Sequence, residues 1–418
     1  MLSTSAWVQG PRGSGVSYPN KGGFVVLKGH LFSSPERVVF GRGVAGEVAE
    51  YVAQLGGKRP MIVTDPVVAK TSAFETIPNS LKKRNVSYVL YTECDVNPTD
   101  RQIDRGRDIY QVENCDVIIG VGGGSNLDSA KSIGIVASNP GSIRDYFVSS
   151  YVTDPYGIRN NVRNPPTIVI PTTAGTGAEV CGWTVVTNTA ENYKGFCGGW
   201  TAMPSLALLD PDLTVSMPPL LTASTGFDAL IHGIEAYYHR YAMPQTDLYA
   251  LSAIRRIVEY LPRAVADGND IEARGQMLLG AMEAGLAMNT GCALVHAMGL
   301  PLTTEFGLSH GVTLAITAGP VFRFNAATTP DKLDAIAAAL GKPAVKGSQP
   351  GQAAADAVRG FARALGIPIN LDTKAHDPSR IPAMAAAAEA NDNTRGNPRK
   401  PTRAEIEALY REAYAPPA

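Results

Sequence analysis

The 418-residue chain is short of the features that mark a special environment. Its five cysteines, Cys94, Cys115, Cys181, Cys197 and Cys292, are scattered, odd in number and without CxxC spacing. That argues against a disulfide framework or a thiolate zinc site and fits a reducing cytoplasm. Charge of one sign is lacking as well, since 37 Lys and Arg against 38 Asp and Glu leave a formal net charge of -1. No field favours nucleic acid or an anionic membrane, so the expected partner is a small molecule. No uncharged apolar run approaches the roughly 18 residues of a membrane span. The opening stretch MLSTSAWVQGPRGSGVSYPNKGG has no basic flank followed by an apolar core, so neither export nor a membrane span is expected.

What is present is length enough for two domains or one large one, and a change of texture along the chain. From about residue 37 to 140, short β-branched runs (RVVFG, PMIVTD, VSYVLYTE, DVIIGVGGG) alternate with amphipathic stretches, and further strand-like runs follow at TIVIPTT, TVVTN and LALLDP. Such alternation predicts a parallel sheet wrapped by helices. After DPDLTVSMPPL, residues 222–341 and 351–414 read as successive helices. The expected organisation is an N-terminal arm and first strand over 1–36, an α/β dinucleotide-binding domain over 37–217 and an all-helical domain over 218–418.

Three stretches carry candidate cofactor chemistry. DVIIGVGGGSNLDSAKSIG reads as a buried strand, a glycine turn at Gly122, Gly123 and Gly124, and a helix opened by Ser125, with Ser125 and Asp128 at capping-box spacing. Glycines let the backbone approach a ligand closely, and a helix N-terminus offers unpaired N–H groups to a phosphate. PMIVTD ends a strand at Asp65, whose carboxylate can accept from ribose hydroxyls and would repel a 2′-phosphate, favouring NAD over NADP. VIPTTAGTGAEV brings Thr172, Thr173 and Thr176 to the same expected cleft, although a hydroxyl-rich loop accounts for them equally well.

A second constellation is metal-like. In TGFDALIHGIEAYYHR, Asp228 and His232 are four apart at the expected start of a helix, with Cβ atoms roughly 5–6 Å apart. The chain has only six histidines, and His232, His296 and His310 all lie in low-charge segments where an unpaired imidazole would be costly. One carboxylate with three imidazoles suits Fe²⁺ or Zn²⁺. His30, His239 and His376 sit among charged or turn residues and read as surface.

On these motifs the chain resembles the iron-containing, or group III, alcohol dehydrogenases, colinearly from about Arg37 to Tyr414. GGGSNLDSAK, PTTAGTGAE, ALLDP, TGFDALIHGIEAY, LVHAMGLPL followed by SHG, and NPRKPT carry the likeness. The resemblance implies an α/β nucleotide-binding domain plus an all-α domain in a dehydroquinate synthase-like architecture, with cofactor and metal in the cleft between them. It implies Asp228, His232, His296 and His310 as metal ligands, and cofactor contacts at Asp65, Asn97, Gly122–Gly124, Ser125, Thr172, Thr173, Thr176 and Lys194, with Asp128 of the same loop-and-helix motif counted among the cofactor residues. It also implies a homodimer or higher homo-oligomer acting on a small alcohol or aldehyde by hydride exchange with NAD.

The chain departs from the family at Leu300, where relatives carry a second histidine, and at Asn126, Ala178 and Asn393. A metal acting as Lewis acid can lower the pKa of water from 15.7 to about 7, on the order of 10 kcal/mol, and an alcohol should respond similarly. Substrate is expected to face Tyr146–Tyr151, Trp183, Phe196, Met288, Thr303, Phe306 and Asn393, with the insertion from Tyr146 to Asn164 over the cleft. The competing readings are a metal-free maleylacetate-type reductase, a dehydroquinate-synthase-like lyase using NAD transiently, and a non-catalytic protein keeping the fold.

Overall fold

The β-branched runs of the first half become the strands of one sheet in the computed structural model, which describes residues 31–148, 150, 162–191, 193–345 and 347–414. The strands are β1 (Arg37–Phe40), β2 (Pro60–Val63), β3 (Val89–Tyr91), β4 (Val117–Gly122) and β5 (Thr167–Pro171), then, after an intervening hairpin, β8 (Leu206–Leu209). All pair in parallel in the order β1-β8-β5-β4-β2-β3. Helices α1 (Val48–Gln54), α2 (Thr76–Lys83), α3 (Asp100–Val112) and α4 (Gly124–Ser138) form the crossovers and cover both faces. Both faces of the strands are therefore apolar, as a covered parallel sheet requires. In β2, Met61 and Val63 join one core cluster and Ile62 the other; in β4, Ile118 lies with the first and Val117, Ile119 and Val121 with the second.

The hairpin of β6 (Trp183–Asn188) and β7 (Tyr193–Gly198) is antiparallel and separate from the main sheet. Its second strand was not expected, because YKGFCG mixes two glycines with a lysine and shows no clean alternation. The hairpin matters to the site, since it carries Lys194.

From Pro219 onward the described residues contain helices and no strands. These are α5 (Pro219–Tyr238), α6 (Pro244–Ala266), α7 (Ile271–Ala287), α8 (Leu294–Phe306), α9 (His310–Asn325), α10 (Pro330–Ala339), α11 (Gln352–Ala364), α12 (Ile381–Ala390), α13 (Asn393–Gly396) and α14 (Arg403–Tyr414). Helix α5 is apolar around most of its circumference and is buried around it too, with α6, α7 and α9 packed on it. Proline at its first position starts it earlier than the hydrophobic pattern suggested, so Asp228 and His232 stand in mid-helix and not at the helix start. Phe32–Ala418 forms one compact unit. No single helix among the described residues is long and apolar enough to cross a membrane.

Candidate metal and cofactor site

Helix α9 packs closely on both α5 and α8 because glycines stand at the contacts, a Cβ on Gly299 of α8 standing 2.9 Å from Thr313 Oγ1 of α9. A Cβ on Gly311, in the first turn of α9, would stand 2.1 Å from the Ser224 carbonyl oxygen of α5. That approach brings His310 to Asp228 and His232, while α8 delivers His296 from the other side. The Asp228 Oδ1 atom lies 3.4 Å from His232 Nε2, 3.4 Å from His296 Nε2 and 3.5 Å from His310 Nε2. Four ligands held tetrahedrally at about 2.1 Å from one cation are separated from each other by about 3.4 Å. The three edges meeting at Asp228 have this length. Asp228 Oδ1 and His296 Nε2 are buried without a hydrogen-bond partner, which is costly unless a cation takes their lone pairs. Asp228, His296 and His310 bring their ligand atoms within 4.8 Å of one another, a spacing that fits a divalent metal ion, and His232 joins them through the same carboxylate oxygen.

The electrostatics agree. Burial alone would raise the Asp228 carboxyl, but the surrounding imidazoles, His232 foremost, outweigh it and hold it below the usual carboxylate range. Burial pulls the His296 ring down, yet Cys292, Glu235 and Asp228 around it raise it well above the ordinary imidazole range. The spot beside Asp228 and His296 favours positive charge, whereas burial, helped by the His296 and His232 rings, pulls the His310 ring down to about 4.

Glu235, one helical turn beyond His232 on α5, is a candidate site residue that the sequence reading missed. It is fully buried, and its Oε2 accepts from His296 Nδ1 at 2.6 Å. Ala293 N–H and Val295 N–H, at the start of α8, donate to it at 2.9 and 2.7 Å. A carboxylate only accepts, so His296 Nδ1 carries the proton it donates, and Nε2 is the ring atom turned toward Asp228. The signal was available, because Asp228, His232 and Glu235 are spaced i, i+4, i+7 along one face of an apolar helix. Cys292 was also unforeseen. Its thiol lies with the rings of His232 and His296, their ligand atoms all within 4.8 Å of one another, and its Sγ is 3.6 Å from Met288 Sδ.

Asp65, the glycine turn with Ser125, and the three threonines gather at the carboxyl ends of three adjacent strands, β2, β4 and β5, where ligands of open α/β sheets bind, while Asn97 follows β3 and Lys194 lies on β7. Thr172 N–H donates to Gly122 O at 2.9 Å, tying the threonine loop to the glycine turn. Gly122 has φ +140°, and a Cβ there would stand 1.9 Å from Asn126 Nδ2, so only glycine fits. A Cβ on Gly123 or Gly124 would meet Thr173 or Thr176, so the two loops are in contact. Asn97 Oδ1 accepts from Lys194 Nζ at 2.9 Å. At the start of α4, Asn126 N–H and Leu127 N–H donate to Gly123 O at 3.0 and 3.2 Å, which leaves the Gly124 and Ser125 N–H groups ahead of the first intrahelical bond, and together with these hydroxyls they suit a pyrophosphate.

Several expectations are corrected. Helix α4 begins at Gly124 with Gly123 as its N-cap and no side-chain cap, so Ser125 and Asp128 do not form a capping box. Ser125 Oγ donates instead to Val96 O at 2.5 Å. Asp128 pairs with Lys131 Nζ at 3.0 Å and accepts from Val185 N–H at 3.0 Å, so its oxygens are engaged by the protein. His239 is buried at 3% exposure, its Nδ1 accepting from Tyr241 N–H at 3.2 Å. The Arg240 guanidinium beside it in sequence lies over the Tyr241 ring, and the His239 ring occupies space that Gly396 leaves open. Tyr146 is a core residue whose hydroxyl donates to Pro140 O, not a wall of a pocket. His30, Tyr151 and most of the insertion after it lie outside the described residues.

The comparisons with known proteins define a class. The family model for iron-containing alcohol dehydrogenase matches residues 35–211, and that for the Fe-containing alcohol dehydrogenase family, C-terminal, matches residues 222–414. The chain belongs to the iron-containing alcohol dehydrogenase family and is an oxidoreductase of that kind. Among its relatives, a choline dehydrogenase of Bacillus subtilis is 36% identical over 390 residues, 93% of this chain and 96% of the relative. An NAD-dependent methanol dehydrogenase of Bacillus methanolicus is 35% identical over 388 residues, 91% of this chain and 99% of the relative. The crystal structure of a 1,3-propanediol oxidoreductase superposes with a TM-score of 0.87 at 33% identity, covering 93% of this chain and 100% of that one.

Proposed function

We propose that the chain is a divalent-metal-dependent, NAD-linked alcohol dehydrogenase, able to run as an aldehyde reductase, with iron held by Asp228, His232, His296 and His310. The carrying observation is one buried carboxylate oxygen with three imidazole nitrogens at 3.4, 3.4 and 3.5 Å. The substrate class is a small alcohol or its aldehyde, in keeping with the relatives that act on methanol and choline. NAD is favoured over NADP because the Asp65 carboxylate repels a 2′-phosphate.

When bound, the metal supplies Lewis acidity toward the substrate oxygen, and the nicotinamide supplies the hydride-accepting ring. The chain's own groups set the stage. Asp228 contributes one negative charge against three neutral donors, leaving the centre net positive toward a developing oxyanion. Glu235 keeps the His296 proton on Nδ1. The His310 side chain is 38% exposed, against 8% for His232 and 6% for His296, so substrate approaches from the His310 side. Leu300, one turn beyond His296 on α8, has no atom that carries a proton, and the hydroxyl proton leaves through water on that open side.

His296→Ala is expected to lose both bound metal, read by elemental analysis, and turnover, read as NADH formation from a panel of small alcohols. Full activity in metal-free protein rejects the reading, as does a metal-loaded protein that transfers no hydride with any alcohol or aldehyde.

A further inference from the structure

One buried side chain beside the cofactor loops has no part in the reading above, and it touches the residue on which cofactor choice turns. Asn126 is 3% exposed, and its Nδ2 donates to Asp65 Oδ2 at 2.6 Å and to Val121 O at 3.0 Å. Both neighbours are acceptors only, so the amide orientation is forced. The side chain lies across the backbone of Gly122, where no Cβ could stand. Its own N–H donates to Gly123 O at 3.0 Å, so Asn126 is fixed at both ends.

We propose that Asn126 is a specificity-determining residue, whose amide clamps the Asp65 carboxylate in the orientation that accepts ribose hydroxyls and turns away a 2′-phosphate. The proposal rests on the reading of Asp65 as a cofactor contact. The other oxygen of that carboxylate, Oδ1, accepts from Val67 N–H at 2.7 Å and Val68 N–H at 2.9 Å. A carboxylate offers about four lone-pair sites. Three are engaged by protein, which fixes the torsion of the group and leaves one site on Oδ2 for a ligand. Without the amide, Oδ2 is free to turn toward water, and a 2′-phosphate meets a carboxylate that can move away from it. Asn126 is a positioning residue in this account, because it acts through Asp65.

The test measures binding, not turnover. Wild type, Asn126→Ala, Asp65→Ala and the double variant are titrated with NADH and NADPH, reading nicotinamide fluorescence, with folding checked by circular dichroism. Wild type is expected to prefer NADH, and Asn126→Ala to cut the ratio of the two dissociation constants at least tenfold. In the Asp65→Ala background, removing Asn126 should change the ratio no further. Asn126→Leu, near-isosteric but without a donor, carries the same expectation should the alanine variant fold poorly. An Asn126 variant that keeps the wild-type ratio, while Asp65→Ala loses it, overturns the clamp and leaves the cofactor reading standing. An Asp65→Ala variant that keeps the wild-type ratio overturns the reading of Asp65, and the clamp with it.

Discussion

Glu235 shows how much of the proposed metal centre rests on a residue outside its four ligands. It holds the ring of His296 from behind and at the same time ties the first turn of α8 to α5 through two backbone N–H groups. Glu235→Gln keeps the size but places an NH₂ where one of three donors now points, so a bond is lost and His296 is freed to change tautomer or turn. Partners of this kind typically contribute 10- to 100-fold in metal affinity. The expected result is a weakening within that range, measured by competition with a chromogenic chelator; unchanged affinity with Glu235→Gln rejects the role. At this scale, sequence legibility followed rarity. Three histidines in low-charge segments stand out, whereas a single glutamate on an apolar helix does not, although its spacing from Asp228 marks the same face. His239 misled for the opposite reason, since a charged neighbour in sequence suggested surface whereas the packing around Gly396 buries the ring.

At the level of elements, helix α4 is held to the β5–β6 connection by Lys131, which is fully buried. Its Nζ donates to Ala178 O at 3.0 Å, Cys181 O at 3.0 Å and Trp183 O at 2.8 Å, and pairs with Asp128 at 3.0 Å. One ammonium group thus gathers three carbonyls of a segment that has little regular structure of its own. Lys131→Met fills the volume but leaves those acceptors and the Asp128 carboxylate without a partner. The expected loss is about 3–5 kcal/mol, by analogy with a broken buried pair, read from urea unfolding; a loss under about 1 kcal/mol would show that water replaces the lysine. The parallel sheet was legible because each strand is an apolar β-branched run followed by a helix-period stretch, a local pattern. The β6–β7 hairpin and the start of α4 were not, because tertiary contacts decide them. In α4, Asp128 is drawn to Lys131 and Val185 and away from the helix start.

For the whole molecule, two buried groups outside the four-residue centre make opposite demands on pH. Burial pushes the Glu179 carboxyl up from 4.5 to about 7, with Lys131 and His232 pulling only partly against it. Burial pushes the His239 ring down from 6.5 to about 4, against a smaller opposing pull from Glu235. For Glu179 the folded state binds the proton more tightly, so its contribution is fully present below pH 4.5 and is lost as pH rises through about 7. For His239 the unfolded state binds the proton more tightly, so its contribution is present above pH 6.5 and is lost as pH falls through about 4. Each shift corresponds to about 3 kcal/mol over its window, so between about pH 4.5 and 6.5 the two nearly cancel in the intact protein. Single variants expose them. Relative to Glu179→Gln, wild type should lose stability as pH rises from 4.5 to 7, whereas relative to His239→Gln it should gain stability from 4 to 6.5. Urea midpoints of the three proteins across this range measure both slopes, and taking differences from wild type removes the titration of other groups. Slopes of the same sign in the two comparisons are incompatible with this assignment, because a group whose pKa is raised on folding and one whose pKa is lowered give slopes of opposite sign.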